Sequence, residues 1–353
     1  VRVLIAVDWF LKVVEGQAVA LADSGHEVAV LCRAHAQEFG GDESERQRVL
    51  GRLRARGVSV FELAGPRYRP AGARPLPRLA RQIARWAPDV VHAHENYDAR
   101  LWLLVRRYPR VLTLHDVVPH PGAVRRRAPE RIAARLWMRG AQRIVVHGEQ
   151  LREDLRAHAG IEHAEVVPLG MATAAEPLPP PTTPAVLLFG RMEPYKGVEV
   201  LVAAMRRVWE TRPDVRLIVA GRGPATAAVP DDPRIDARPR YIPEDELEQL
   251  FAATTLAVLP YTQASQSDVG LRALALGVPL VVSDVGSLAD LAVDRSYVVP
   301  PGDAAALAEA LIGHLDVPRT ERARVLAHAT DRFSWSAVNA RYLQLYAAAR
   351  RAA

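Results

Sequence analysis

The chain has 353 residues, 49% hydrophobic and 24% charged, a length for two domains and a composition that excludes disorder. Its net charge of +6 is uneven: residues 1–172 hold 27 basic against 19 acidic side chains, the remainder 19 against 21, so an anionic partner falls to the first half. Cys32 is the single cysteine, which excludes an intrachain disulfide and a cysteine metal cluster, and aromatics at 6% without a basic–aromatic motif argue against nucleic acid.

In chain order, RVLIAV (2–7) and EVAVL (27–31) read as buried parallel strands around a helix at about 14–24 that ends at Gly25. The opening VRVLIAV is too short for the apolar core of a secretory leader, and no stretch reaches 18 apolar residues, so a cytoplasmic location is expected. Alternation continues with strands at 58–63, 89–94, 110–116 and 143–148 and helices through 76–86, 98–107 and 130–139. The segment EPLPPPTTP (176–184) is too rich in proline for helix or interior strand and reads as a linker. Beyond it, strands are expected at 185–190, 215–221, 256–260 and 279–284 and helices at 197–210, 244–253, 268–276 and 303–315. A last helix is expected at about 335–350. Strands alternating with helices imply two doubly wound parallel sheets, whose ligands bind beyond the strand carboxyl ends.

The most informative of those ends is Gly190-Arg191-Met192-Glu193-Pro194-Tyr195-Lys196-Gly197. A strand, a short loop and a helix start suit an anion, because first-turn amides lack partners. Arg191 offers a planar fork for phosphate oxygens, Lys196 a point charge for a departing diphosphate, and Gly190 and Gly197 allow close backbone approach. Of the 46 basic residues only Lys12 and Lys196 are lysine, a bias that makes a persisting lysine a candidate for a compact ammonium.

At this spacing the chain resembles the retaining glycosyltransferases of family 4, of the GT-B fold, whose donor diphosphate is gripped by this Arg and Lys. The resemblance runs along most of the chain. Gly221 and Gly223 match the family's Gly-x-Gly turn beside the donor, and Arg240-Tyr241-Ile242 the place where the base is clamped, with a plain connection into the following helix as the alternative for these three. Gly277-Val278-Pro279 matches a structural segment, and Phe333-Ser334-Trp335 the start of a helix crossing back to the first domain. His115 matches the family's His-Asp loop, where the histidine lies at the transferring sugar. Asp116, His120, Glu95 and Asn96 are expected around the acceptor, with capping or loop packing as the alternative for His120, Glu95 and Asn96. Only Gly16 stands where the family places a Gly-Gly pair, and it is taken with the acceptor group.

One segment departs. The family's Glu, seven residues, Glu falls here on Ala264 and Arg272, and a guanidinium has no acceptor for a ribose hydroxyl. A Ser-Gln-Ser-Gly-Val variant of the family resembles Ser265-Gln266-Ser267-Asp268-Val269, in which a serine can cap the helix and Asp268 either complements its dipole or accepts from a sugar hydroxyl.

The organisation expected is an acceptor domain (1–172), a linker (173–184), a nucleotide-sugar domain (185–331) and a crossover helix (332–353). The resemblance implies transfer of a sugar from a nucleotide-diphosphate donor with retention, no cofactor, and no metal, since no Asp-x-Asp motif occurs. A nucleotide-sugar epimerase or hydrolase of the same shape, and a non-catalytic nucleotide-binding protein, are the alternatives. Two arginine clusters (Arg67, Arg69, Arg74, Arg78, Arg81 and Arg85; Arg125, Arg126, Arg127 and Arg131) suit an anionic acceptor, a lipid-linked acceptor or an anionic membrane surface.

Overall fold

A computed structural model describes residues 1–117, 127–264 and 266–353. His120, Ser265, Arg125 and Arg126 lie outside the described residues. The chain divides into two compact units, Val1–Gly170 with Trp335–Ala353, and Met171–Ser334.

The first unit carries β1 (Arg2–Val7), α1 (Leu11–Asp23), β2 (Glu27–Arg33), α2 (Glu43–Ala55), β3 (Ser59–Leu63), α3 (Leu76–Trp86), β4 (Val90–His94) and α4 (Ala99–Val105). It continues with β5 (Arg110–Leu114), α5 (Ala128–Gly140), β6 (Arg143–Val146), α6 (Glu149–Ala159) and β7 (Glu165–Val166). All seven strands pair in parallel in the order 3-2-1-4-5-6-7. The near-continuous apolar runs are explained by burial on both faces. Val3, Ile5 and Val7 of β1 enter one core with α1 and α2, whereas Leu4 and Ala6 enter a second with Leu79, Leu104, Trp137 and Leu155. The order reverses between β1 and β4, whose register sets Val7 beside His94. The loops after these two strands are therefore where a ligand is expected.

The second unit carries β8 (Ala185–Phe189), α7 (Val198–Thr211), β9 (Arg216–Ala220), β10 (Ile235–Arg238), α8 (Glu244–Ala252), β11 (Leu256–Leu259) and α9 (Asp268–Ala275). After these come β12 (Leu280–Ser283), β13 (Val298–Val299), α10 (Ala304–His314) and α11 (Arg319–Phe333). Its parallel sheet has the order 10-9-8-11-12-13, with the reversal between β8 and β11. The helix α12 (Trp335–Arg351) then packs on the first unit, burying Val338, Tyr342 and Tyr346 in the core of β1.

Two expectations are corrected. The proline-rich stretch is not a free linker: Ala174 and Leu178 amides donate to the Ala275 and Leu276 carbonyls at 2.9 and 3.0 Å, and the buried Arg322 donates to the Leu178 carbonyl. The chain passes between units at Gly170–Met171 and Ser334–Trp335 instead, where Met171 donates to Phe333 at 2.7 Å. Gly16 lies inside α1, not in an acceptor loop. A Cβ there would stand 2.3 Å from Trp335 Nε1, so its missing side chain is the seat of the α12 indole.

Candidate functional site

In the second unit the loop after β8 is built backbone against backbone. Gly221 has φ +138°, and a Cβ on it would lie 1.8 Å from the Gly190 carbonyl; Gly197 has φ +69°, with the Pro260 carbonyl 1.9 Å from its would-be Cβ. Both conformations strain an L side chain and both contacts forbid one. Gly223 packs in the same way on Met192. The three connections after β8, β9 and β11 are thereby pressed together.

Into this corner comes Lys196, only 8% exposed. Its ammonium lies 3.9 Å from the Tyr261 ring centroid, donates to the Tyr261 hydroxyl, and stands 3.8 Å from where a Cβ on Gly190 would lie, with Val269 at 3.4 Å from the same point. Burial, aided by Arg191, brings the Lys196 pKa down to about 8. The Tyr261 hydroxyl also bonds Ser267, and burial pushes its pKa up. Ser267 in turn caps α9, accepting from the Gly270 amide at 3.3 Å. Among the described residues no carboxylate pairs with this ammonium; burying it so is costly, and an anion entering the corner would relieve that cost. Arg191 is the exposed member, its side chain 77% accessible and 3.9 Å from Glu193.

Further out, Asp268 pairs with Arg272 at 2.8 Å along α9, an acid in the first turn and a base in the last, as the helix dipole favours. Gln266 is half-buried. Arg240 is held by Glu246, Ile242 is buried in the core, and Tyr241 is the exposed ring of that group at 67%. The structure thus joins Gly190, Lys196, Gly197, Gly221, Gly223, Ser267 and Val269, and leaves Arg240 and Tyr241 on the surface.

In the first unit the carboxylate of Glu95, buried at 4% exposure, accepts from the His115 and Asp116 amides at 3.1 and 3.0 Å and from the Tyr97 hydroxyl. It holds the loop after β5 in place. Asn96, Glu95 and Asp116 line one cavity of about 120 Å³ whose floor is Leu112, Leu114 and Trp137. Asn96 Nδ2 is buried without a partner among the described residues. His115 bonds His94 through Nε2 at 3.0 Å and His147 through Nδ1 at 3.2 Å, and stacks on Phe10 at 4.0 Å between centroids. Both ring nitrogens are therefore engaged, and a sugar hydroxyl would have to displace a histidine to reach either. Phe10 takes φ +74°, the left-handed conformation ordinarily given to glycine. That explains how a loop without a Gly-Gly pair makes its turn. Arg67, expected in a basic surface, is internal instead: it pairs with Asp8 and Glu130.

Tyr261, Phe10, His94, His147 and Gln17 escaped the sequence reading. For the two histidines a signal existed: β4 ends in His94, and His115 and His147 directly follow β5 and β6, so three adjacent strands are each closed by a histidine. Tyr261 stands just after β11. Nothing marks Gln17.

Two family models match: glycosyltransferase family 4 over residues 12–175 and glycosyl transferases group 1 over 183–316. A glycogen synthase of Mycobacterium tuberculosis is 29% identical, covering 94% of this chain and 89% of its own. A D-inositol 3-phosphate glycosyltransferase of Nocardia farcinica is 28% identical, covering 94% and 83%. A phosphatidyl-myo-inositol mannosyltransferase of Propionibacterium freudenreichii is 28% identical over 76% of this chain and 74% of its own. Among solved structures, a glycosyltransferase from Rickettsia africae has a TM-score of 0.71 at 14% identity, covering 98% of this chain and 97% of that one. Anabaena Alr3699/HepE, solved with UDP, scores 0.68 at 16%, covering 98% and 100%.

Proposed function

This chain belongs to the group 1, family 4 glycosyltransferases and has the GT-B fold, and from that premise we propose that it moves a sugar from a nucleoside-diphosphate donor to an acceptor hydroxyl, with retention and without a metal or cofactor. The observation that carries the donor class is the buried Lys196 ammonium set against Tyr261 above glycine backbone, with the exposed Arg191 beside it, only 3.9 Å from Glu193. Such a corner suits a diphosphate: Lys196 meets its charge at short range, and Arg191 folds over it as a fork.

In the transfer, the bond from the anomeric carbon to the diphosphate oxygen breaks and a bond to the acceptor oxygen forms on the same face. The acceptor proton passes to the leaving diphosphate, so no side chain need serve as base. Lys196 and Arg191 hold the negative charge that grows on the leaving group, and interactions stronger there than in the bound donor accelerate the step. The cavity lined by Glu95, Asn96 and Asp116 is the proposed acceptor side.

Wild-type enzyme incubated with a panel of nucleotide sugars in excess EDTA, with product analysis by NMR, tests this. Transfer with retained anomeric configuration supports it. Free sugar as sole product, inversion, or complete loss of activity in EDTA restored by Mg²⁺ would each contradict the corresponding part.

A further inference from the structure

Three histidine rings of the first unit are joined nitrogen to nitrogen, and the number of protons they carry fixes their state. His147 Nδ1 lies 2.9 Å from the Val167 carbonyl oxygen, and His147 Nε2 lies 3.2 Å from His115 Nδ1. His115 Nε2 lies 3.0 Å from His94 Nδ1, and His94 Nε2 lies 3.1 Å from the Gln17 side-chain amide. A carbonyl oxygen only accepts, so His147 carries a proton on Nδ1. Burial keeps the rings neutral, bringing the His147 pKa down to about 4 and those of His115 and His94 well below the ordinary value. A neutral ring has one N–H. His147 Nε2 therefore accepts from His115 Nδ1–H, and His115 Nε2 accepts from His94 Nδ1–H.

His94 Nε2 is then a lone pair, and whatever faces it must donate. Three neutral rings supply three protons to the four junctions just described. The fourth can come only from the amide nitrogen of Gln17. With Oε1 turned to His94, Gln17 Nε2 is buried without a partner. Turning the amide over, which exchanges two atoms of like size, pairs that nitrogen with His94.

We infer that Gln17, His94, His115 and His147 form one directional hydrogen-bond chain, every imidazole in its Nδ1–H form, and that Gln17, His94 and His147 are positioning residues for the transfer proposed above, on which their functional role rests. The chain does not conduct protons, because its ends are an amide and a peptide carbonyl, neither of which titrates. It fixes the His115 ring, while Glu95 fixes the backbone at His115 and Asp116 and Phe10 covers the ring face. Asp116, the next residue, lines the cavity proposed for the acceptor, so a shift of the His115 ring would carry that wall with it, and small misplacements at a reacting site cost rate. Among the described residues, the other titratable groups around the chain are His92, Tyr342 and Tyr346 on the α12 side and Glu95 and Asp116 on the loops; the charge of Asp116 favours a proton on His147 and is outweighed by burial.

Nitrogen-15 shifts of the histidine rings, recorded on wild-type protein near neutral pH without substrate, should show all three rings neutral and protonated on Nδ1. An Nε2–H ring or an imidazolium among them overturns the chain. Gln17→Glu, nearly the same shape, tests the functional half. In wild type the fourth proton sits on an amide and never leaves; in the variant it sits on a titratable group and is lost as pH rises. The variant should follow wild type at low pH and lose kcat roughly tenfold or more on the alkaline side, with donor KM within about twofold. Superimposable kcat profiles for variant and wild type overturn the positioning role, as does a lower Tm without any new titration. If the variant does not fold, His147→Gln, which keeps a donor and an acceptor, should retain more kcat than His147→Leu, and equal loss overturns the role. Failure of wild type to transfer any sugar would sink the proposed function alone, since the nitrogen shifts need no substrate.

Discussion

Lys196 is where residue chemistry bears most directly on function. Its pKa, lowered to about 8 from 10.5 by burial and then by Arg191, leaves it only partly charged in weakly alkaline solution. A diphosphate favours the ammonium, so nucleoside diphosphate affinity should be full below about pH 8 and fall as pH rises through that value. Calorimetry in buffers of different ionisation enthalpy should also register proton uptake on binding above pH 8. Pure buffer-independence there would show that Lys196 does not meet the ligand. For the ligand-free protein the same shift acts oppositely. The penalty on the buried ammonium is complete below pH 8 and is relieved as pH rises towards 10.5, where an unfolded lysine also loses its proton. Gly221 makes a second residue-scale prediction. Gly221→Ala adds a Cβ 1.8 Å from the Gly190 carbonyl at φ +138°, and should cost on the order of 2 kcal/mol or more, read as a lowered midpoint of denaturant unfolding. An unchanged midpoint would mean that the loops after β8 and β9 are not pressed together.

At the scale of elements, what the sequence showed and what it hid separate by physical cause. Buried parallel strands are apolar throughout, so RVLIAV, AVLLF and LVVS announce themselves, and the helices between them carry an apolar stripe. The helices α2 and α6 and the helix α11 went unread because their sequences, ESERQRVLGRLRA among them, are rich in charge and bury only a few side chains. The corner proposed for the diphosphate was legible because glycine, Arg191 and Lys196 are local in sequence. Tyr261 and the histidine chain were not, because their partners come from separate strands, 21 residues apart for His94 and His115 and 32 for His115 and His147.

Helix α3 carries a further expectation at this scale. Between Leu63 and Asp89 there is no acidic residue, and among the described residues Arg74, Arg78, Arg81 and Arg85 are exposed with no carboxylate partner. That face suits anionic lipid, each arginine contributing about 1 kcal/mol near such a surface. Replacing Arg78, Arg81 and Arg85 together by glutamine should abolish binding to anionic liposomes at low salt while leaving Tm within a few degrees. Unchanged liposome binding would assign the face to solvent.

For the whole molecule, two sheets of one construction serve two tasks. Each reverses its strand order once, between β1 and β4 and between β8 and β11, and each gathers its chemistry in the loops beyond that point. The second unit gathers cationic side chains and glycine backbone, the place proposed for a diphosphate; the first offers a carboxylate-clamped loop, a histidine chain and a small cavity. No helix among the described residues is long and apolar enough to cross a membrane. The family establishes glycosyl transfer, and the chemistry of the two units points to a nucleoside-diphosphate donor whose leaving group is stabilised by side chains. The most direct measurement is the turnover of Lys196→Ala at saturating nucleotide sugar in excess EDTA, on protein whose circular dichroism matches wild type. A charge-assisted contact to the leaving group contributes about 1.5–3 kcal/mol, so a loss of roughly ten- to a hundredfold or more is expected. Near-normal turnover would contradict the account.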